Sequence, residues 1–151
     1  MIISRLNRNF STKNLSYLKG PTNTPPLQES ISKAFFKASL EHEHETAIIS
    51  DFQDLHLTFG ELFQICRRVA ANLLDLGVQP GTKFGIYAPN YLEWLNCQYA
   101  CPLADLHMVN INPAYKPKEL EHGLTLTEVE TLLVSDNLTP ARILDNVDFF
   151  L

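Results

Sequence analysis

Three short apolar segments recur along the second half of the chain at a constant spacing. They begin at Lys83, His107 and Thr131, each roughly 24 residues after the one before, and helical periodicity lies between them. Parallel strands need long crossover connections, usually helices, whereas antiparallel strands can be joined by tight turns. The spacing therefore predicts a βαβαβ unit, which is an α/β fold with a partial doubly wound sheet.

The residues before this unit predict a helix and a hairpin. Apolar residues at helical spacing from Leu27 to Phe35 predict a helix over 27–41. Two β-rich segments joined by a turn predict short strands at 47–49 and 55–59.

Two further helices are predicted from their capping patterns. Thr58 with Glu61 three residues later is the sequence of a capping box, in which each side chain satisfies a backbone N–H at the helix start. We expect that helix over 59–76. Asn90 and Glu93 repeat the arrangement and predict the start of the next helix.

Charge is distributed unevenly between the two ends of the chain. Residues 1–28 hold four basic side chains and no acidic one, whereas the remainder has a net charge of −9. An acid-free, amphipathic, Arg-bearing start is typical of a mitochondrial transit peptide, and a basic tail without a targeting role is the alternative. We expect a leader over 1–19 with a cleavage after Phe10, and a linker over 20–26.

The overall composition excludes several classes of protein. The net charge of −5 argues against a nucleic-acid partner, and no apolar run has the ~18 to 20 residues of a transmembrane helix. Three cysteines are too few and odd in number for a disulfide framework, so a reducing compartment is expected. Together with the basic leader, this predicts the mitochondrial matrix.

No sequence pattern points to a phosphate-binding loop. The Walker-type and G-x-G-x-x-G patterns do not occur in the sequence. Gly77, Gly81 and Gly85 are four residues apart, but they lead into a strand rather than a helix N-terminus. We interpret them as a helix cap, a turn residue and a strand residue.

Two places in the sequence hold residues that can ligate a metal ion. Cys97 and Cys101 are one helical turn apart and His107 follows, but a fourth zinc ligand is missing. Both cysteines are predicted to act as small hydrophobic side chains in an apolar helix. His42 and His44 alternate with glutamates, which we interpret as a solvated helix end.

Nucleophiles and aromatic residues are no more informative. The sequence has no G-x-S-x-G motif, and Cys66 has no evident activating partner. Five scattered aromatic residues are interpreted as core side chains rather than cofactor contacts: Tyr87, Tyr91, Trp94, Tyr99 and Tyr115. We assign no catalytic, cofactor-binding or metal-binding residue.

The order of four sequence blocks is more specific than any one of them. The blocks are LTFGEL at 57–62, AANLLDLGVQPG at 70–81, APN at 88–90 and NPAY at 112–115, with Glu119-Leu120 shortly after. In this order they resemble the opening of the adenylate-forming acyl-CoA synthetases. SYLKG at 16–20 is similar to the start of the mitochondrial medium-chain members. The resemblance extends from residue 16 to 136.

The resemblance implies a fatty acid, ATP, Mg²⁺ and coenzyme A as the reactants of the whole enzyme. The acid would attack the α-phosphate of ATP, and the thiol of coenzyme A would then displace AMP. The family's phosphate loop, Mg²⁺-linked Glu, ribose-binding Asp and mobile lysine come later in the chain and do not occur in this sequence. We therefore carry over no catalytic residue and expect no cofactor bound by this chain alone.

The resemblance also assigns 27–136 to the start of the large N-terminal domain, followed by an irregular tail over 137–151. Two positions depart from the family pattern. Asp105 follows Ala104 where the family often has glycine, and Thr82 follows Gly81 where aspartate is common.

Three hypotheses remain open from the sequence. The chain is an N-terminal piece of a ligase that is inactive alone, or a non-catalytic module in a mitochondrial assembly, or an unrelated small α/β domain. In the second case a protein partner would cover exposed sheet edges.

Overall fold

The computed structural model describes residues 20–21 and 23–135 of the 151-residue chain. The predicted leader over 1–19 and tail over 137–151 lie outside the described residues. Nine regular elements follow one another along the chain: α1 Ile31–Glu41, β1 Thr46–Ser50, β2 Leu55–Thr58, α2 Phe59–Asp75, β3 Lys83–Tyr87, α3 Leu92–Leu103, β4 His107–Ile111, α4 Pro117–Thr127 and β5 Thr131–Val134. A single 3-10 turn, Asp51–Gln53, joins β1 to β2.

Helix α1 begins later than its periodicity predicts. Ser30 has an extended backbone and its hydroxyl accepts a hydrogen bond from the N–H of Lys33 at 3.3 Å. This cap begins the helix at Ile31. The predicted start at residue 27 is therefore wrong, and Leu27 lies exposed before the helix.

Helix α2 matches its predicted bounds to within one residue. The N–H of Glu61 donates to the Thr58 hydroxyl at 3.2 Å, and the N–H of Thr58 donates to the Glu61 carboxylate at 2.9 Å. The predicted capping box is thus confirmed. Gly77 follows the helix with φ +94°, a conformation that glycine adopts at little cost.

Helix α3 does not have its predicted cap. It begins at Leu92 after Tyr91, and no side chain at that N-cap position accepts a hydrogen bond. The prediction that Asn90 and Glu93 form a capping pair is wrong. Gln53, from the turn between β1 and β2, supplies the missing acceptor for the N–H of Leu92.

The predicted βαβαβ unit is confirmed, with its strands beginning at the expected positions. The three strands are parallel in the order β4-β3-β5, with Lys83 paired to His107 and Phe84 paired to Thr131. Phe84 and Ile86 of β3 pack in one cluster with buried residues of α3. Tyr87 packs on the opposite face with buried leucines of α4, so helices cover both faces of a doubly wound sheet.

The hairpin forms a separate antiparallel sheet. β1 and β2 pair with Ser50 opposite Leu55 and with an irregularity near Ala47. Its partly buried side chains pack against a cluster formed by α1 and α2, in which Phe35, Phe63 and Cys66 are buried. Across residues 20–21 and 23–135, no helix combines the length and the apolar character needed to cross a membrane.

Candidate functional site

The strand order reverses between β3 and β5. From β3 the chain moves outward to β4 and then returns across β3 to form β5 on the other side. In open α/β sheets, ligands bind in the crevice beyond the carboxyl ends of the strands at such a reversal. A crevice of about 310 Å³ opens at that place. Ile86 of β3 and Leu133 and Val134 of β5 line it, together with Ala88 and Ser135, which follow these strands.

Aromatic side chains form one side of this crevice. Phe52 and Tyr91 stack with their ring centroids 5.4 Å apart and their planes 8° from parallel. Trp94, the single tryptophan of the chain, also lines the crevice. Its indole N–H donates to Oδ1 of Asn110 at 3.1 Å, which connects α3 to β4. Three rings from two different regions therefore share one opening.

Gln53 holds the hairpin turn against the start of α3. Its Oε1 accepts hydrogen bonds from the N–H of Leu92 at 2.9 Å and from the hydroxyl of Ser50 at 3.0 Å. Its Nε2 donates to the carboxylate of Glu93 at 2.9 Å. Gln53 is thus an N-cap supplied from another element, and it satisfies a helix N–H that the local sequence leaves without an acceptor.

The described lining of the crevice carries negative charge and no positive charge. Glu93 contributes the single carboxylate, and the described lining residues include no lysine, arginine or histidine. Phosphates and carboxylates are bound in proteins mainly by arginine, lysine and helix N-termini. The lining is therefore suited to uncharged groups. Ser135 and Gln53 provide neutral hydrogen-bonding side chains at the same opening.

A second and more polar opening lies at the carboxyl ends of β3 and β4. Its polar side chains are Asn90, Asn110 and Asn112. The hydroxyl of Tyr87 lies beneath the neighbouring loop, with the carbonyl oxygens of Pro113 at 3.2 Å and Tyr115 at 3.1 Å as its acceptors. The NPAY block at 112–115 is therefore a structured loop anchored to β3.

The three cysteines pack as small hydrophobic side chains, as predicted. Cys66, Cys97 and Cys101 are all buried in the cores around α2 and α3. Burial raises the pKa of Cys66 and Cys101 to about 12 and that of Cys97 to about 11. Such thiols are protonated and unreactive at neutral pH. No group of three or more His, Cys, Asp or Glu within the part of the chain that the structure describes is arranged to hold a metal ion.

The histidines and glycines behave as their sequence contexts indicate. His42 ends α1 at the surface, and its Nδ1 lies 2.9 Å from a carboxylate oxygen of Glu45, which raises the pKa of His42. Gly77 and Gly81 have φ +94° and +84°, as a helix cap and a turn residue require, and Gly85 lies within β3.

The aromatic residues divide into two groups. Tyr87 is buried under α4 and Tyr99 packs 4.4 Å from Phe35 between ring centroids, so both are core residues as predicted. Tyr91 and Trp94 line the crevice instead, and Tyr115 is 39% exposed in the loop after β4, so the prediction of a core position is wrong for these three residues. Sequence spacing could not separate the two groups, because the reversal of strand order that creates the crevice is a property of the folded sheet.

Most of this chain is similar to known proteins of one family. Residues 35–148 match the family model described as AMP-binding enzyme. The chain is 33% identical over 114 residues to the medium-chain acyl-CoA ligase ACSF2, mitochondrial, of Danio rerio, covering 75% of this chain and 19% of that protein. It is 28% identical over 110 residues to the protein of the same name from Rattus norvegicus, covering 73% of this chain and 18% of that protein.

Solved structures with a similar fold include N-terminal domains of two bacterial proteins. The N-terminal domain of FACL13 from Mycobacterium tuberculosis has a TM-score of 0.73 at 18% identity, covering 80% of this chain and 30% of that one. The Klebsiella oxytoca NpsA N-terminal subdomain in complex with anthranilyl-AMSN has a TM-score of 0.67 at 21% identity, covering 70% and 27%. The chain spans less than a fifth of the length of the curated relatives it matches.

Proposed function

The chain belongs to the family of AMP-binding enzymes, and from this premise we propose that it supplies the N-terminal framework of a fatty acid–CoA ligase. The observation that carries the proposal is the family match over 35–148, which spans α2 and the whole parallel sheet. The similarity to medium-chain acyl-CoA ligases from fish and rat supports a medium-chain fatty acid as the substrate.

The proposed reaction of the whole enzyme has two steps. The carboxylate of the fatty acid attacks the α-phosphate of ATP, which forms an acyl-adenylate and releases pyrophosphate. The thiol of coenzyme A then attacks the acyl carbon and AMP leaves. Both steps build negative charge on oxygen atoms, which cations and hydrogen-bond donors stabilise.

The crevice at the reversal of strand order does not fit the phosphates of ATP, and the described residues do not fit a Mg²⁺ ion. The described lining residues of that crevice include no cationic side chain, and no carboxylate cluster with metal-binding geometry lies within the described ranges. In this proposal the groups that act on ATP come from outside the described residues. The described part contributes the sheet and the helices on which they are carried.

The proposed location is the mitochondrion. The names of the ACSF2 relatives place those proteins there. The acid-free, basic character of residues 1–28 is the expected composition of a transit peptide and supports the same location for this chain.

A chimeric enzyme tests the framework role. In the Danio rerio ligase, the segment that matches this chain would be replaced by residues 35–135, and decanoate-dependent ATP–pyrophosphate exchange would be measured. We expect the chimera to be active, because both segments form the same framework. A folded but inactive chimera would contradict the proposal. The matched control carries Ile86→Asp, which places a charge in the sheet core and should abolish activity through misfolding.

Assay of the 151-residue chain by itself tests the second part of the proposal. We expect no fatty acid-stimulated ATP–pyrophosphate exchange above a blank without protein. Measurable exchange would overturn the proposal that this chain supplies only a framework and is inactive by itself.

A non-catalytic binding module is the second candidate function. It is favoured by the outer edges of β4 and β5, each of which pairs with β3 only within the described part of the chain. Unpaired strand edges are sites at which another chain can add a strand. Light scattering of the purified chain separates this case, since a stable complex with a partner or second copy is expected for a module of this kind and a monomer contradicts it.

A further inference from the structure

We propose that the crevice at the carboxyl ends of β3 and β5 is a binding site for an uncharged, apolar small molecule. The main observation is that three aromatic rings lie at one opening with apolar residues of the central strands. One ring, Phe52, comes from the hairpin turn, and Tyr91 and Trp94 come from the start of α3. The inference rests on the geometry of the crevice and is independent of the ligase proposal above, which assigns no ligand to this opening.

The size and walls of the crevice fit a small organic ligand. Its volume of about 310 Å³ lies at the lower end of the ~300 to 1,000 Å³ found for ligand pockets, which are mostly apolar with a few polar groups. Phe52 is 79% exposed and Leu133 is 38% exposed. A ligand in the crevice would remove this apolar surface from water, which favours binding.

The charge of the lining selects a neutral ligand. A carboxylate or phosphate entering the crevice would lose its hydration and would meet Glu93, with no lysine, arginine or histidine among the described lining residues to compensate. A neutral molecule has no such cost. The chemistry of this site therefore differs from that of the anionic reactants in the proposed ligase reaction.

Gln53 gives the crevice a defined shape before any ligand arrives. Its hydrogen bonds to Leu92 and Glu93 hold the hairpin turn against α3, and the stack of Phe52 on Tyr91 lies beside them. A wall that is already fixed loses less conformational freedom on binding, which increases affinity.

Trp94 makes the proposal directly measurable. As the single tryptophan of the chain and a lining residue, it reports occupancy of the crevice through its fluorescence. The full chain would be titrated with N-phenyl-1-naphthylamine, which is neutral, and with 1-anilinonaphthalene-8-sulfonate, which adds a sulfonate to the same ring system. We expect saturable quenching by the neutral compound and affinity about tenfold weaker for the sulfonate, because the described lining residues carry a carboxylate and no cation. Equal affinities, or no response of Trp94, would overturn the proposal.

A second skeleton tests the same charge rule. Displacement of the bound neutral probe by 1-decanol is expected, and displacement by decanoate at the same concentration is not. If decanoate displaces the probe as well as 1-decanol does, the crevice does not select neutral ligands and the proposal is wrong.

Substitutions in the walls locate the site. Leu133→Lys should weaken binding of the neutral probe about tenfold and strengthen binding of the sulfonate, since it places a cation in the lining. Leu126→Lys is the matched control, because Leu126 is 72% exposed on α4 and does not line the crevice. If both variants behave alike, the probe binds elsewhere and the proposal fails.

A variant with little risk to folding provides a separate check. Phe52→Ala removes a highly exposed ring and should weaken binding of the neutral probe several-fold, whereas Phe36→Ala, an exposed ring on α1 away from the crevice, should leave it unchanged. Circular dichroism of each variant verifies the fold. Unchanged affinity in a folded Phe52→Ala chain would contradict the proposed site.

Discussion

The two sheets of this molecule are stabilised in different ways. In the parallel sheet, four of the five residues of β3 are buried, because helices cover both faces. In the hairpin no residue of β1 or β2 is buried, and one face of the sheet packs on α1 and α2. The parallel sheet therefore depends on apolar burial, whereas the hairpin is attached through surface packing and the hydrogen bonds of its turn.

The largest expected difference comes from the same substitution in each sheet. Ile86 of β3 is 0% exposed and Ile49 of β1 is 59% exposed. We expect Ile86→Ala to lower the free energy of unfolding by about 2 to 5 kcal/mol, since it leaves a cavity in the core, and Ile49→Ala by less than about 0.5 kcal/mol. Urea denaturation followed by circular dichroism measures both. Equal losses would refute the contrast between the sheets.

Removal of the tie between the two regions has the next largest effect. Gln53→Ala leaves the N–H of Leu92 without its acceptor and releases Glu93, and should cost about 1 to 2 kcal/mol. The emission of Trp94 should shift to longer wavelength as the crevice wall loosens. Gln64→Ala on the exposed face of α2 is the matched control. A Gln53→Ala chain with unchanged stability and emission would mean that the turn does not hold α3.

Each of the two regions holds one aspartate in a strained backbone conformation with positive φ. Asp105, before β4, and Asp54, in the hairpin turn, have φ +56° and +50°. Glycine adopts this conformation without the penalty of about 1 kcal/mol that other residues carry. We expect Asp105→Gly to raise the melting temperature of the whole chain by a few degrees. Asp54→Gly should instead slow amide exchange in the hairpin with little change in melting temperature.

The outcome at Asp105 is the more decisive of the two. The family resemblance predicts glycine at this position, and the positive φ of Asp105 supplies a physical reason for it. A lower melting temperature for Asp105→Gly would mean that the aspartate makes a compensating interaction.

The smallest expected effect is a pH dependence at the end of α1. The hydrogen bond and charge of Glu45 raise the pKa of His42 above its usual value. The folded state therefore binds this proton more tightly than the unfolded state does. The stabilisation that protonated His42 gains from Glu45 is present at pH values below the unfolded-state pKa of His42. This stabilisation is lost as the pH rises through the pKa of His42 in the folded state.

A pH titration monitored by NMR measures the pKa of His42. Glu45→Gln is expected to lower this pKa. An unchanged pKa in the variant would show that Glu45 is not its cause. Because both side chains are exposed at the surface, no effect is expected on the parallel sheet.

The features that the sequence predicted well are local ones. The strand starts at Lys83, His107 and Thr131 follow from apolar runs bounded by turn residues, and the capping box at Thr58 involves residues only three apart. Periodicity and capping act within a few residues, so they can be read from a single segment. Periodicity alone places the start of α1 four residues too early, because it does not show that the Ser30 cap begins the helix at Ile31.

The features that the sequence did not predict depend on residues far apart in the chain. The cap of α3 comes from Gln53, 39 residues before Leu92, and no local pattern marks that pairing. Tyr91 and Trp94 have the same spacing as core aromatic residues, and their position at a crevice follows from the hairpin turn lying beside α3.

By itself the sequence determined the class of fold, the order of its elements and membership of the AMP-binding family. Motif order and hydrophobic periodicity can be identified in a sequence without knowing which residues are in contact. The tertiary structure decided on which side of β3 each neighbouring strand lies, and thus where the strand order reverses. It also brought the hairpin turn to α3. Strand order depends on packing of helices on both faces of the sheet, which no single segment encodes.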